Sequence, residues 1–411
     1  MPPRVRFQPY WSDRFPSSRR PSYPAYRGAT DTDVVIIGGG LTGCAAAYAF
    51  AAAGIRTLVL ESDRVAGGST AASSGLMRPD PAASFREASQ QYGLRDARIL
   101  WQMTRRSALD FAAALRRLGI RCDPVGADAL TIARASREAE RPLRREFDAQ
   151  RSAGLEVAWL GAAPLARESG VDLGIAGVRT RDGAQIDPYR AAIGLAAAAA
   201  QRGARIFERS PALGIRAGRK SVEVRASTGR ITASAVVIAT GYPPADLRGV
   251  HRHFTRELHY GVATEPMNAA MRRCAGRRAA SVEDVETPTH TLRWMKDDSV
   301  LFFGGAQPAL PERSRRKAIE QRTWQLMYEL SLMYPAVSGI QPTRAWDIEV
   351  ARSVDGLPYL GTHRNYPRHL FALGIDPHRL GHCWLAARLL VKQFQGEPEK
   401  VAAAFGFSRI L

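Results

Sequence analysis

The sequence predicts an α/β chain in which a Rossmann-like domain carries a second domain built on an antiparallel β-sheet. Three observations predict it. Residues 33–61 hold a complete strand–turn–helix–strand unit around Gly38-Gly39-Gly40-Leu41-Thr42-Gly43. An alanine-rich helical segment and a buried apolar strand recur at 189–239, and short strands dominate 253–310.

The first unit is the most explicit. Val34–Ile37 is an apolar run that meets the G-x-G-x-x-G turn, and a second run, Thr57–Leu60, ends in Glu61. Gly38 permits a sharp turn out of the strand, Gly40 lets backbone N–H groups approach a pyrophosphate, and Gly43 lets helix and strand pack closely. The helix that begins at Leu41 and Thr42 offers unpaired N–H donors and a partial positive charge to phosphates. Glu61, about 20 residues on, would accept bonds from ribose hydroxyls and disfavour a 2′-phosphate, so FAD or NAD suits the site better than NADP.

The remaining elements follow in order. Residues 1–30 are rich in Pro, Arg, Ser and Tyr and read as an extended arm, with Arg4, Arg6 and Trp11 among them. A small-residue loop, Ala66–Leu76, follows the first unit. Residues 88–120 and 134–152 have helical periodicity, with Ile99, Met103 and Phe111 on one face. A helix is predicted over Tyr189–Gly203 and a strand over Ala204–Phe207. Val222–Ala226 and Arg230–Ala233 form a hairpin turned by Thr228-Gly229. The buried strand Ala235–Ala239 ends at Thr240-Gly241. Strands at Tyr260–Thr264, His290–Met295 and Val300–Gly304 precede a helix near 315–333.

Composition bounds the function. The 411 residues are 45% hydrophobic, enough for a sizeable core. No apolar run approaches the roughly 18 residues of a membrane span. The N-terminal segment lacks the apolar stretch of a secretory signal, and Pro21 and Pro24 follow Arg19-Arg20 where a twin-arginine signal would continue apolar. Cys44, Cys122, Cys274 and Cys383 are scattered without metal-ligand spacing, so reduced thiols, a cytoplasmic location and no metal site are expected. The formal net charge of +19 is carried almost wholly by arginines spread along the chain, without interleaved aromatics, so solvated faces are expected rather than a nucleic-acid surface.

By Gly241 the order of pieces resembles the D-amino-acid oxidase / glycine oxidase / sarcosine oxidase superfamily of FAD-dependent oxidoreductases. The carriers are DVVIIGGGLTG with Glu61, GSTAASSGL, QIDPYRAAIGLAAAAAQRGARI, AVVIATG, TLRWMKDDSVLFFGG and WDIEVARSVDGLPYLG. The arm PYWSDRFPS is similar to that of bacterial members acting on amines and amino acids. The resemblance implies a GR2-type fold, with the FAD domain at 31–87, 167–243 and 346–411 and the substrate domain at 88–166 and 244–345. It implies FAD contacts from Ser69, Thr70, Ser74, Gly75 and Leu76, from Ala212 toward the adenine, and from Thr240 and Gly241. Its reaction moves hydride from the carbon beside an amine to flavin N5, giving an imine that hydrolyses, with oxygen, a quinone or another carrier as acceptor.

The match breaks at one turn. Members place a G-Y-G-G-H-G type turn against the flavin pyrimidine, whereas this chain has Gly374 and His378 with Asp376, Pro377 and Arg379 between and after them. Either Arg379 or His378 places positive charge near flavin N1, or the site is weakened. Arg293 and Arg352 are candidates to clamp a substrate carboxylate. Tyr260 and His378 complete the candidate catalytic set. His382 and Cys383 offer a covalent flavin link, but non-covalent FAD is the expectation. Two alternatives stand beside this reading: a catalytically silent flavin-binding subunit, motivated by the altered turn, and a flavoenzyme modifying tRNA, motivated by the charge. Oligomeric state and substrate identity are not legible, and a homo-oligomer is open.

Overall fold

The computed structural model describes residues 5–134, 137–172 and 174–409; Arg4 lies outside them. Two sheets organise the chain. In the first, the strands run in the order 359–363, 366–373, 229–241, 28–37, 57–60 and 205–207, and the 212–217/222–226 hairpin joins beside 229–241. The pairs 28–37 with 57–60 and with 229–241 are parallel, and Val34, Val35, Ile36 and Ile37 are all buried. A strand covered on both faces reads as a continuous apolar run, which is why this one was legible.

Leu41–Ala52 packs against Pro188–Ala200 and Gly381–Phe394 on one face of this sheet. Alanines at 45, 46, 47, 191, 192 and 196 are buried between these helices and let them approach closely. Asp187 caps the second helix by accepting from the Arg190 N–H at 2.9 Å.

The second sheet runs 342–353, 254–264, 300–308, 291–294, 280–284, 125–134, 174–185 and 76–77, with 157–161 beside 174–185. It is antiparallel apart from the pair 280–284 with 125–134. One face packs on Glu312–Met333 through Tyr260, Val262, Phe302, Leu326 and Leu330. The other faces the nucleotide-binding unit through Leu301, Phe303, Trp346 and Ile348.

Several boundaries differ from the sequence reading. The strands Gly174–Gln185 and Pro342–Ser353, which fall wholly or partly within the spans given to the FAD domain, pair in the second sheet. The helical stretch 88–120 is two helices, Phe85–Tyr92 and Leu94–Arg117, because Gly93 adopts φ +83°. The strands expected at 230–233 and 235–239 are one, Gly229–Gly241, paired by its first half to the hairpin and by its length to the first strand. The N-terminal arm is not simply extended: it makes a helical turn, Tyr10–Arg14, that buries Tyr10 and Trp11. No described helix is long and apolar enough to cross a membrane.

Candidate functional site

The glycine-rich turn is built as the sequence requires. Gly38 has φ +107°, and a Cβ there would sit 2.5 Å from the carbonyl oxygen of Ala239. At Gly43 a Cβ would fall 1.8 Å from the oxygen of Gly38, so helix and strand touch backbone to backbone. The carboxylate of Glu61 accepts from the N–H groups of Gly39 at 2.6 Å and Asp63 at 2.9 Å. Thr70 Oγ1 accepts from the Leu41 N–H at 2.8 Å. Among the described residues the N–H groups of Thr42 and Gly43 have no protein acceptor. Unpaired donors at a helix N-terminus, beside an acid at the end of the second strand, suit the pyrophosphate and ribose of a dinucleotide.

The other expected cofactor residues converge on the same crevice. Ser210 N donates to the carbonyl of Glu61 at 2.8 Å, which holds the start of the strand carrying Ala212 beside that acid. A Cβ at Gly241 would lie 3.8 Å from Ser69 Oγ, and Gly374 N donates to Gly241 O at 3.4 Å. Thr240 is exposed and bonds the carbonyl of Tyr242. The Ser69–Leu76 loop is held from behind. Trp346 Nε1 donates to Ala72 O at 2.8 Å, Trp11 Nε1 to Ser73 O at 2.8 Å, and Arg293 Nη1 to Ser74 O at 2.7 Å. Three consecutive carbonyls are therefore tied down by three side chains. On the far side Ser74 Oγ donates to Pro377 O, and Arg78 N donates to His378 O.

Beyond the turn 374–381 lies a chamber of about 460 Å³, lined in part by Asp80, Thr131, His259, Glu283, Arg352, Gly374, His378 and Arg379. Its floor is a buried ion network. Arg379 donates to Glu283 at 2.7 Å and to Asp80 and Asp376 at 3.3 Å each, and Arg78 reaches Asp80 at 3.0 Å. Burial alone would raise the Glu283 carboxyl, but Arg379 and Arg78 overcome it and hold that carboxyl well below the usual range. Asp80 Oδ1 and His378 Nδ1 are buried without a partner among the described residues. Burial pushes His378 down to about 4.

The candidate catalytic residues separate. His378 lines the chamber, and so does Arg352, which is exposed and whose guanidinium makes no hydrogen bond or ion pair among the described residues. Tyr260 does not: it is packed on the opposite face of the sheet with Val262 and Phe302, and its hydroxyl accepts from Gln307. Its neighbour His259 lines the chamber instead, because alternate residues of a strand face opposite sides. Arg293 lies outside the chamber with its Nη1 committed to Ser74 O and Ile186 O. Arg379 is at the chamber but locked among three carboxylates rather than presenting a free charge. Cys383 is buried, and burial pushes its thiol up to about 12.

Residues 33–393 match the family of FAD-dependent oxidoreductases designated DAO. The chain belongs to that family. Among DAO relatives it is 24% identical over 378 residues to gamma-glutamylputrescine oxidoreductase of Escherichia coli, covering 90% of this chain and 85% of that one. It is 26% identical over 356 residues to glycine oxidase of Bacillus licheniformis, covering 83% and 87%. The fold matches glycine oxidase from Geobacillus kaustophilus at a TM-score of 0.76, with 20% identity over 93% of this chain and 99% of that one. These relatives are enzymes acting on amines or amino acids, and the two-sheet architecture described above is that of the glycine oxidase.

The buried histidines set an acid limit. His378 and His382 are both held near 4, below the ordinary value of 6.5, through burial. The unfolded chain therefore binds more protons between pH 6.5 and 4, and stability falls as pH falls through that window, by up to about 1.4 kcal/mol per pH unit for each histidine. His290 acts oppositely. Burial lowers it, but Asp284 and Glu329, each at 2.9 Å, raise it to about 9, so its contribution is present below pH 6.5 and lost as pH rises toward 9. Thermal unfolding followed from pH 5 to 9 should show a maximum between these windows; a monotonic profile would contradict the assignment.

Proposed function

We propose that the chain binds FAD non-covalently and oxidises the C–N bond of a small amine or amino acid in the chamber beside Gly374–Arg379. The observation that carries this reading is the series of close approaches from the glycine turn to the chamber: Gly38 against Ala239, Gly241 against Ser69 and Gly374, Ser74 against Pro377, and Arg78 against His378.

In this reading Thr42 and Gly43 give their free N–H groups to the pyrophosphate, with Gly40 and Leu41 shaping the approach. Glu61 takes the ribose hydroxyls, the backbone at Ala212 meets the adenine, and Thr240 and Gly241 pass beneath the cofactor. Ser69, Thr70, Ser74, Gly75 and Leu76 flank the ring on one side and Gly374, His378 and Arg379 on the other. FAD, when bound, supplies the hydride acceptor. The chain's own task is then to hold the substrate carbon in line, keep its amine neutral and exclude water. His378, kept neutral by burial, adds no positive charge that would repel a substrate amine. Trp101, Leu143 and Val178 wall the chamber.

Arg352 is a free guanidinium of the chamber among the described residues, as Arg86 is at its rim, and in this reading it is the clamp for a substrate carboxylate. Arg352→Met should raise KM for amino acids by about tenfold to a hundredfold, the worth of a charged hydrogen-bonded pair of roughly 1.5–3 kcal/mol. KM for amines without a carboxylate should change little, and equal effects on both classes would remove Arg352 from that role. Re-oxidation of the substrate-reduced protein in air, against a quinone, identifies the electron acceptor.

A further inference from the structure

A second cavity, of about 500 Å³, lies behind the Ser69–Leu76 loop and shares no lining residue with the chamber. Tyr10, Trp11 and Phe15 of the N-terminal arm form one wall, and Arg293 lies beneath Trp11, with its guanidinium carbon 4.8 Å from the ring centroid. Charge in this cavity is unevenly satisfied. The carboxylates of Asp297, Asp123 and Asp187 already have Arg14, Lys296 and Arg190 as partners. Arg278 shares Asp298 with Arg272.

Arg293 makes no ion pair among the described residues: Asp187 and Asp123 favour its charge from a distance but are paired with Arg190 and Lys296. Arg293 is 6% exposed, gives Nη1 to the two carbonyls, and leaves Nε without an acceptor. Burial lowers it to about 10, which still leaves a cation at neutral pH. A buried guanidinium without a hydrogen-bonded counter-ion is costly, and an anion seated beside it lowers the cost. The aromatic wall adds a requirement for a flat apolar body.

We propose that this cavity is a binding site for a small organic carboxylate carrying an aromatic ring, its anion against Arg293 and its ring among Tyr10, Trp11 and Phe15. Because Arg293 and Trp11 also hold Ser74 and Ser73, the occupant acts on the loop that flanks the catalytic chamber, which makes the site a regulatory one distinct from the substrate's. The coupling rests on the flavin reading above; the binding does not.

Phenylacetate is the probe, titrated calorimetrically into the full-length protein as purified. Ala279→Trp fills the cavity from an exposed position that lines it, without touching Arg293 or the loop. Arg352→Glu is the control for binding in the chamber. The proposal expects phenylacetate to bind, Ala279→Trp to weaken it at least tenfold and Arg352→Glu to change it less than twofold. Absence of binding at millimolar phenylacetate, binding indifferent to Ala279→Trp, or binding that Arg352→Glu abolishes would overturn it. Each outcome is read as heat, so it stands apart from whether the protein turns over an amine.

Discussion

Replacing Gly43 with valine should leave the chain unable to retain FAD. The smallest side chain at this position already places a Cβ 1.8 Å from the carbonyl oxygen of Gly38, an overlap no rotamer relieves because both atoms belong to backbone or begin at it. Gly38 cannot yield: it sits at φ +107° and is itself pressed against the Ala239 carbonyl. The helix must therefore shift off the strand, which moves the free N–H groups of Thr42 and Gly43 away from the phosphate position. Overpacking of a close-packed contact costs about 1–3 kcal/mol or more before any cofactor contact is lost. Together with the lost phosphate bonds, a drop in FAD affinity of about a hundredfold or more is expected. The measurement is flavin content after gel filtration alongside far-UV circular dichroism. Retained stoichiometric FAD in a folded Gly43→Val protein would contradict the role assigned to the turn.

Arg379→Met should be the most destabilising change at the chamber. The Arg379 guanidinium is buried, and Glu283, Asp80 and Asp376 all depend on it. Burial opposes its charge, yet those three carboxylates raise it above its ordinary range. Removing one member of a buried ion pair leaves the others uncompensated at a cost of roughly 3–5 kcal/mol. The sign of the pH dependence follows. Arg379 holds the Glu283 carboxyl below its unfolded value, a contribution present above that value and lost as pH falls through it, so the penalty of the variant is largest at neutral pH and shrinks in acid. Thermal unfolding of wild type, Arg379→Met, Glu283→Gln and the double variant at neutral pH and at a pH near the unfolded carboxyl value of about 4.3 tests this. A coupling energy near zero between the two sites would sink the account of the network.

The difference between what the sequence disclosed and what it hid is one of range. Gly38, Gly43 and Glu61 were legible because their constraints are local: a turn, a close contact within the same unit and an acid at the end of the adjoining strand. Arg379 was not, because two of its three carboxylate partners lie 96 and 299 residues away, so a charge that reads as free in sequence is spent in the fold. Tyr260 and His259 show a second limit. The strand Phe254–Thr264 is buried on both faces over its last five residues, so alternation cannot say which residue faces the chamber. Arg293 sits in the wholly buried strand Thr291–Trp294 and carries the same ambiguity. Trp11 gave no signal at all, since its bond to Ser73 crosses 62 residues from an arm that reads as unstructured.

The most direct test is the visible absorption spectrum of the purified protein, followed by anaerobic titration with a panel of amines and amino acids. Flavin bands at about one FAD per chain, bleached by at least one small amine or amino acid, are the result expected from the glycine turn and the chamber together. A colourless protein that does not take up FAD would contradict the account at its base, and a yellow one that no amine or amino acid bleaches would remove the proposed chemistry while leaving the binding site.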